Sequence, residues 1–184
     1  MSTRDYIDFQ ARTEPLGYLI TFRTYGTWLH GDERGSMDRR FHNRVGEPRM
    51  AKSPGLVQHE KELLKQPPVI LNQAQRQAVE AAITEVCQVR GYHLYAVNAR
   101  SNHVHVVVSA SGKPEPMMRS FKSYATRKLR ETGLMAAEIE PWSRHGSTPY
   151  LWSEEEIAHA VDYVLYGQDG ESFVKDRKQS LPKG

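Results

Sequence analysis

Asn102-His103-Val104-His105-Val106-Val107-Val108 is the stretch whose reading decides the fold. Its run of valines favours a strand. Side chains on a strand alternate faces, so His103 and His105 share one face and Val104 and Val106 share the other. The valine face is expected to be the buried one. Two imidazoles at adjacent same-face positions can chelate one divalent ion. The plain alternative is a pair of polar residues on the solvated side of a half-buried strand. A two-histidine phosphoesterase is a further alternative, but such sites carry hydroxyl residues after the histidines, and valines stand there in this chain.

Elements follow outward from this strand. Residues 92–100 read as a second strand, joined to 103–110 through Ser101-Asn102 as an antiparallel hairpin. Gly112 and Pro114 end the hairpin. Upstream, Asn72 is a plausible N-cap for a helix over about 73–90, with Ala78, Ala81, Ala82, Val86 and Val89 roughly at helical spacing. Residues 18–25, Tyr-Leu-Ile-Thr-Phe-Arg-Thr-Tyr, predict another strand. Residues 26–68 are rich in Gly, Pro and charge, too long for a simple loop, and are read as a wrapping insertion with a short helix near 56–65. Downstream lie a helix at about 115–132, a Gly-, Pro- and Trp-containing connection over 133–152, and a last helix at about 153–166 stopped by Gly167. This order implies an α+β domain: an antiparallel sheet with helices packed on one face and the other face available.

The chain has 184 residues, 39% hydrophobic and 26% charged, which suits a single domain over 1–184 with its core at about 17–168 and a polar tail at 169–184. A formal net charge of +3 is compatible with a polyanionic partner. The only cysteine, Cys87, excludes an internal disulfide and reads as a small core residue. No apolar run reaches the roughly 20 residues of a membrane helix, and Met1 to Gln10 do not read as a signal peptide. A cytoplasmic location and no membrane partner are expected.

In the last helix, Ile157, Val161, Val164 and Leu165 gather on one side as core positions, while His159, Tyr163 and Tyr166 fall opposite. A tyrosine placed there is a surface residue, an interface anchor or a nucleophile. In the preceding helix, Met118, Phe121, Ala125 and Leu129 form the core stripe with Tyr124 at its edge, where packing or base stacking would suit it. Arg119, Ser123, Arg127 and Arg130 fall on the other side. A solvated face and a phosphate-contacting face both account for these arginines.

The Asn102 to Val108 segment resembles the HUH motif (U meaning hydrophobic) of single-tyrosine transposases, including insertion-sequence and REP-associated transposases. The basic Phe121-Lys122-Ser123-Tyr124 helix is similar to the helix after that motif. Trp152-Ser153-Glu154-Glu155-Glu156-Ile157 leading to Asp162-Tyr163-Val164 is similar to the catalytic-tyrosine helix. Tyr25-Gly26-Thr27-Trp28-Leu29 and Gly31-Asp32 also resemble a subgroup of the family, without a chemical role assigned to that loop.

The resemblance implies a ferredoxin-like fold and a DNA transposase that cleaves and rejoins single-stranded or hairpin DNA through a 5′-phosphotyrosine. It assigns Tyr163 as nucleophile, with Tyr166 and Tyr124 as fallbacks. His103 and His105 would bind Mg²⁺ or Mn²⁺, and Arg119, Lys122, Arg127 and Arg130 would contact DNA. Many relatives carry a metal-binding glutamine four residues after the tyrosine. Gly167 occupies that position here, and Gln168 would point about 140° away from Tyr163 in a regular helix. A helix end at Gly167 could rotate Gln168 back as third ligand, and His159 is the fallback ligand or proton shuttle. Relatives include monomers and homodimers, and both stay open. Two other functions stay open as well: a non-cleaving relative that binds DNA hairpins, and a metal-dependent phosphohydrolase using water.

Overall fold

A computed structural model describes residues 14–29 and 53–167. Among these the chain forms β1 (Gly17–Thr24), α1 (Pro54–Glu62), α2 (Gln73–Arg90), β2 (His93–Ala99), β3 (His103–Ser109), α3 (Pro114–Glu131), β4 (Trp142–Ser147), β5 (Tyr150–Leu151) and α4 (Glu154–Tyr166). The sheet order is β2-β3-β1-β4, with β5 also pairing to β1, and every pairing is antiparallel. This is the α+β, ferredoxin-like arrangement expected from the sequence.

Local chemistry sets the element ends. Asn72 and Gln75 form a reciprocal capping box at the start of α2, each side chain accepting the other's backbone N–H at 2.9 Å. The helix ends at Gly91, whose φ of 67° is left-handed. Pro54 stands in the first turn of α1, where its missing N–H costs nothing, and Ser53 caps it.

Strand alternation then sorts the core. Val104, Val106 and Val108 point with Ile20 and Phe22 into a core closed by α2 (Val79, Ile83, Val86) and α3 (Phe121, Ala125, Leu129). Val89, expected on the α2 stripe, is exposed instead. Two differences from the sequence reading concern architecture. The 133–152 connection contains β4 and β5. The second sheet face is partly covered: Ile157, Ala160 and Val164 of α4 pack there against Leu19, Ala96, Val107 and Leu151. Thus α2 and α3 share one face as expected, and α4 lies on the other.

The sheet is irregular in two places. Between Leu94 and Ala96 the β2–β3 register shifts by one residue, leaving Tyr95 unpaired. Before the shift Leu94 pairs with Val108. After it Ala96 pairs with Val107 and Asn98 with His105, so Asn98 faces α4. The β1–β4 register also shifts, between Phe22 and Thr24. There Lys122 Nζ donates to the carbonyls of Ser143, at 2.8 Å, and His145, at 3.2 Å. Its ammonium satisfies acceptors that the broken ladder cannot.

Gly146 lets β4 approach closely, because a Cβ there would collide with the Thr21 carbonyl and the Met118 sulfur. Gly146→Ala is expected to cost about 1–3 kcal/mol through overpacking. Urea unfolding should show a lower midpoint with an unchanged slope. An unchanged midpoint would mean that β4 is free to shift.

Candidate active site

The site starts from the central pairing of β1 with β3. Thr21 pairs with His105 and Arg23 with His103, so all four side chains lie on the face that α4 partly covers. The two imidazole rings meet edge to face, with centroids 4.6 Å apart.

Each ring is anchored through Nδ1. His103 Nδ1–H donates to Asn102 Oδ1 at 2.6 Å. Thr21 Oγ1 lies 2.7 Å from His105 Nδ1. Asn102 is itself fixed, since its carbonyl accepts the Thr24 N–H at 3.0 Å and the Thr24 hydroxyl at 3.1 Å. Thr27 Oγ1 in turn donates to the Thr24 carbonyl at 3.0 Å. The loop to which the sequence assigns no chemical role therefore braces the turn that orients His103.

His105 is 8% exposed. Burial, then the neighbouring His103, then Arg100 and Arg23 push its pKa down to about 3. The ring is neutral across the physiological range, the protonation state a metal ligand needs.

Tyr163 reaches the site from α4. Ser153 caps this helix by accepting the Glu156 N–H at 3.1 Å, and Glu156 Oε2 accepts the Trp152 N–H at 2.7 Å. Glu154, Glu155 and Glu156 favour the positive end of the dipole. The last turn has no basic residue of its own. Instead β2 and the residue after it supply donors: Asn98 Nδ2 to the Val164 carbonyl at 2.7 Å, and Arg100 to the Gly167 carbonyl at 2.8 Å. So held, the Tyr163 ring lies against His105 with centroids 5.4 Å apart.

The sequence expectation for α4 needs correction. Its buried stripe is Ile157, Ala160 and Val164, while Leu165 is exposed. Tyr163 therefore sits on the flank of the stripe and packs partly against it, not opposite. Tyr166 is 77% exposed. His159, one turn before Tyr163, is half-buried. Tyr124 packs on the α2–α3 side of the sheet, away from the histidines. Gln168 lies outside the described residues, and α4 ends at Gly167 in an extended conformation.

The basic residues of α3 are not brought to this site. Arg119, Arg127 and Arg130 belong to the helix on the opposite face. Arg127 pairs with Glu85 at 3.5 Å and lies over the Tyr124 ring. Arg130 donates to the Ile139 carbonyl. Lys122 braces β4, a task that its place in a basic helix does not reveal. Sequence reasoning also misses Thr21, Arg23, Asn98 and Arg100. Only strand pairing places them here, and for Asn98 the pairing depends on the bulge.

Comparison with known families gives this geometry its class: the family described as Transposase IS200 like matches residues 64–155. That span takes in both histidines and all of α3, and ends before Tyr163. The chain belongs to the IS200-like transposase family and is a DNA-binding, DNA-processing transposase. No curated protein matches it. Among the described residues, no helix is long and apolar enough to cross a membrane.

Two outcomes are expected. Between about pH 6.5 and about pH 3 the unfolded chain takes up a proton on His105 that the folded chain refuses. That contribution to stability is therefore present above pH 6.5 and lost as pH falls through the interval. Wild-type unfolding free energy should drop more steeply there than that of His105→Gln, and parallel curves would contradict the buried neutral ring. Lys122→Met should lose about 1 kcal/mol by removing the charged donor from the Ser143 and His145 carbonyls. A variant of wild-type stability but weaker DNA affinity would return Lys122 to DNA contact.

Proposed function

We propose that this transposase cuts and rejoins single-stranded or hairpin DNA through Tyr163, with His103 and His105 holding a divalent ion. The observation that carries the reading is the Tyr163 ring against His105, on a helix pinned at its C-terminal end by Asn98 and Arg100.

The donors suit a metal. His103 Nδ1–H directed at Asn102 Oδ1 leaves that ring's lone pair on Nε2, and the Thr21 hydroxyl can accept from His105 Nδ1–H in the same tautomer, the one that metal-bound histidines adopt. No group of three or more His, Cys, Asp or Glu side chains among the described residues is arranged to hold a metal. Two neutral nitrogens leave room for oxygen donors, such as those of a DNA phosphate. When bound, Mg²⁺ or Mn²⁺ would supply Lewis-acid polarisation of the scissile phosphate.

The residues of the chain do the rest. Tyr163 Oη attacks phosphorus, the bond to the 3′ oxygen breaks, and the phenolic proton is lost as the 3′-hydroxyl gains one. The product is a 5′-phosphotyrosine, and attack by another 3′-hydroxyl reverses the step without loss of bond energy. Asn98 and Arg100 hold the nucleophile in register, and the Asn102 and Thr21 anchors hold the imidazoles. The α3 arginines would contact DNA away from the cut, since they occupy the other side of the sheet.

A randomised pool of single-stranded hairpin oligonucleotides with Mn²⁺, run on a denaturing gel, tests the reading. A covalent adduct is expected with wild type. Tyr163→Phe should abolish it, and His103→Ala and chelator should each reduce it at least about 100-fold. An adduct that survives Tyr163→Phe moves the chemistry to Tyr166 or Tyr124. Hairpin binding with no adduct supports a non-cleaving relative, and phosphate release without adduct supports a phosphohydrolase.

A further inference from the structure

The residues between α1 and α2, to which the cleavage chemistry gives no task, form one wall of a groove. Two clefts of about 530 and 440 Å³ adjoin there, and Gly26 and Leu64 line both. Lys61, Lys65, Pro67 and Pro68 also line the first. Tyr25, Trp28, Leu29, Trp142 and Arg144 are among the residues lining the second. The walls are tied to one another. Tyr25 N–H donates to the Pro141 carbonyl at 2.9 Å, and the Tyr25 hydroxyl accepts the Lys65 N–H at 3.0 Å. The Gln66 side chain bonds the Glu140 backbone in both directions, at 2.9 Å each. Gly26, with φ of 69°, lets the loop after β1 close on Leu64 and Pro68. The groove lies at the end of the sheet where Thr24 pairs with Trp142 and Arg23 with His103.

We infer that this groove holds a single-stranded stretch of the DNA substrate, with its phosphates met by Lys61, Lys65 and Arg144 and its bases laid on the apolar floor. The inference rests on the single-stranded substrate proposed above and adds a surface to hold it. Charge complementarity is one argument. All three cations are exposed, and among the described residues none of them is ion-paired. One carboxylate, Glu140, lines the groove with them. Such side chains exchange condensed counterions for contact with a polyanion. The floor is the other argument. Tyr25 and Trp28 are half-buried aromatic residues, and Leu64, Pro67 and Pro68 extend the apolar surface beside them. Unpaired bases stack on aromatic surface whatever their identity, whereas the bases of a duplex are stacked on one another. Each cleft falls in the range of ordinary ligand sites, about 300–1,000 Å³, which gives room for a nucleotide. The same loop serves the catalytic face, since Thr27 braces Thr24 and, through it, the turn before His103. A strand in the groove is therefore held against the loop that steadies the first histidine.

The test titrates a fluorescent oligothymidine, which forms no hairpin, and a blunt DNA duplex by anisotropy over a range of salt. Lys61→Gln, Lys65→Gln and Arg144→Gln are combined in one protein. Their exposure predicts an intact fold, which urea unfolding checks. The variant should bind oligothymidine at least about tenfold more weakly. Its log–log salt slope should be flatter by about two, since each single-strand phosphate contact contributes about 0.7. Duplex affinity should change by less than about threefold, because paired bases do not enter the groove. Oligothymidine carrying 5-iodouracil, irradiated with wild type, should crosslink to the peptide holding Tyr25 and Trp28 or to that holding Trp142. This readout needs no variant and stands whatever the substitutions do to folding. Unmoved oligothymidine affinity overturns the proposal and leaves the groove to a protein segment. An equal loss on the duplex overturns it as a general effect of charge, and crosslinks confined to other peptides overturn it as well. Adduct formation with Mn²⁺ is scored separately: its absence counts against the cleavage reading, while the groove stands or falls on oligothymidine.

Discussion

The pairing of β1 with β3 runs unbroken from Tyr18 opposite Val108 to Arg23 opposite His103, and the rest of the structure hangs on it. Both strands are central, so each of their faces must meet a demand. On one face Ile20, Phe22, Val104 and Val106 require a hydrophobic cover, which α2 and α3 provide. On the other face the same register sets Thr21 beside His105 and Arg23 beside His103. A slip of one residue would bury the histidines under α3 and expose the valines. The large apolar core is therefore also the device that holds the polar chemistry in place.

Much of this is legible in the sequence, for reasons that differ by element. The helices carry their own punctuation: Asn72, Pro114 and Gly167 mark ends by local hydrogen bonding and backbone preference. The His-Val-His alternation is equally local. By contrast, β4 reads Trp-Ser-Arg-His-Gly-Ser, without alternation, because its ladder is broken and its carbonyls are met by Lys122. The stripe of α4 misleads at Leu165 because periodicity ranks residues by hydrophobicity. Packing selects Ala160, which is fully buried. The site residues that escape a sequence reading, Thr21, Arg23, Asn98 and Arg100, come from segments distant in sequence from the tyrosine.

Charge is divided between the faces. On the α2–α3 side, Arg127 and Lys128 meet Glu85 on the surface, where such pairs contribute little. On the α4 side, Arg23 and Arg100 lie near enough to His105 to disfavour its protonation. The positive charge on this face thus lies close to the histidines. This fits a transposase better than any tally of basic residues, since the +3 net charge is nearly silent on where the positive potential lies.

The bulge at Tyr95 stores information as a count. Tyr92 just ahead of β2 and Leu94 within that strand face the apolar core before the bulge. Beyond it, Val97 and Ala99 face that core, while Ala96 and Asn98 face α4. One unpaired residue acts as a frameshift for the strand, exchanging which numbers face the apolar core and which face α4. Chain length at this point therefore carries meaning that side-chain identity does not. A relative could replace Tyr95 and keep the same residues of β2 facing α4, but a relative one residue shorter there would need a different way to hold α4.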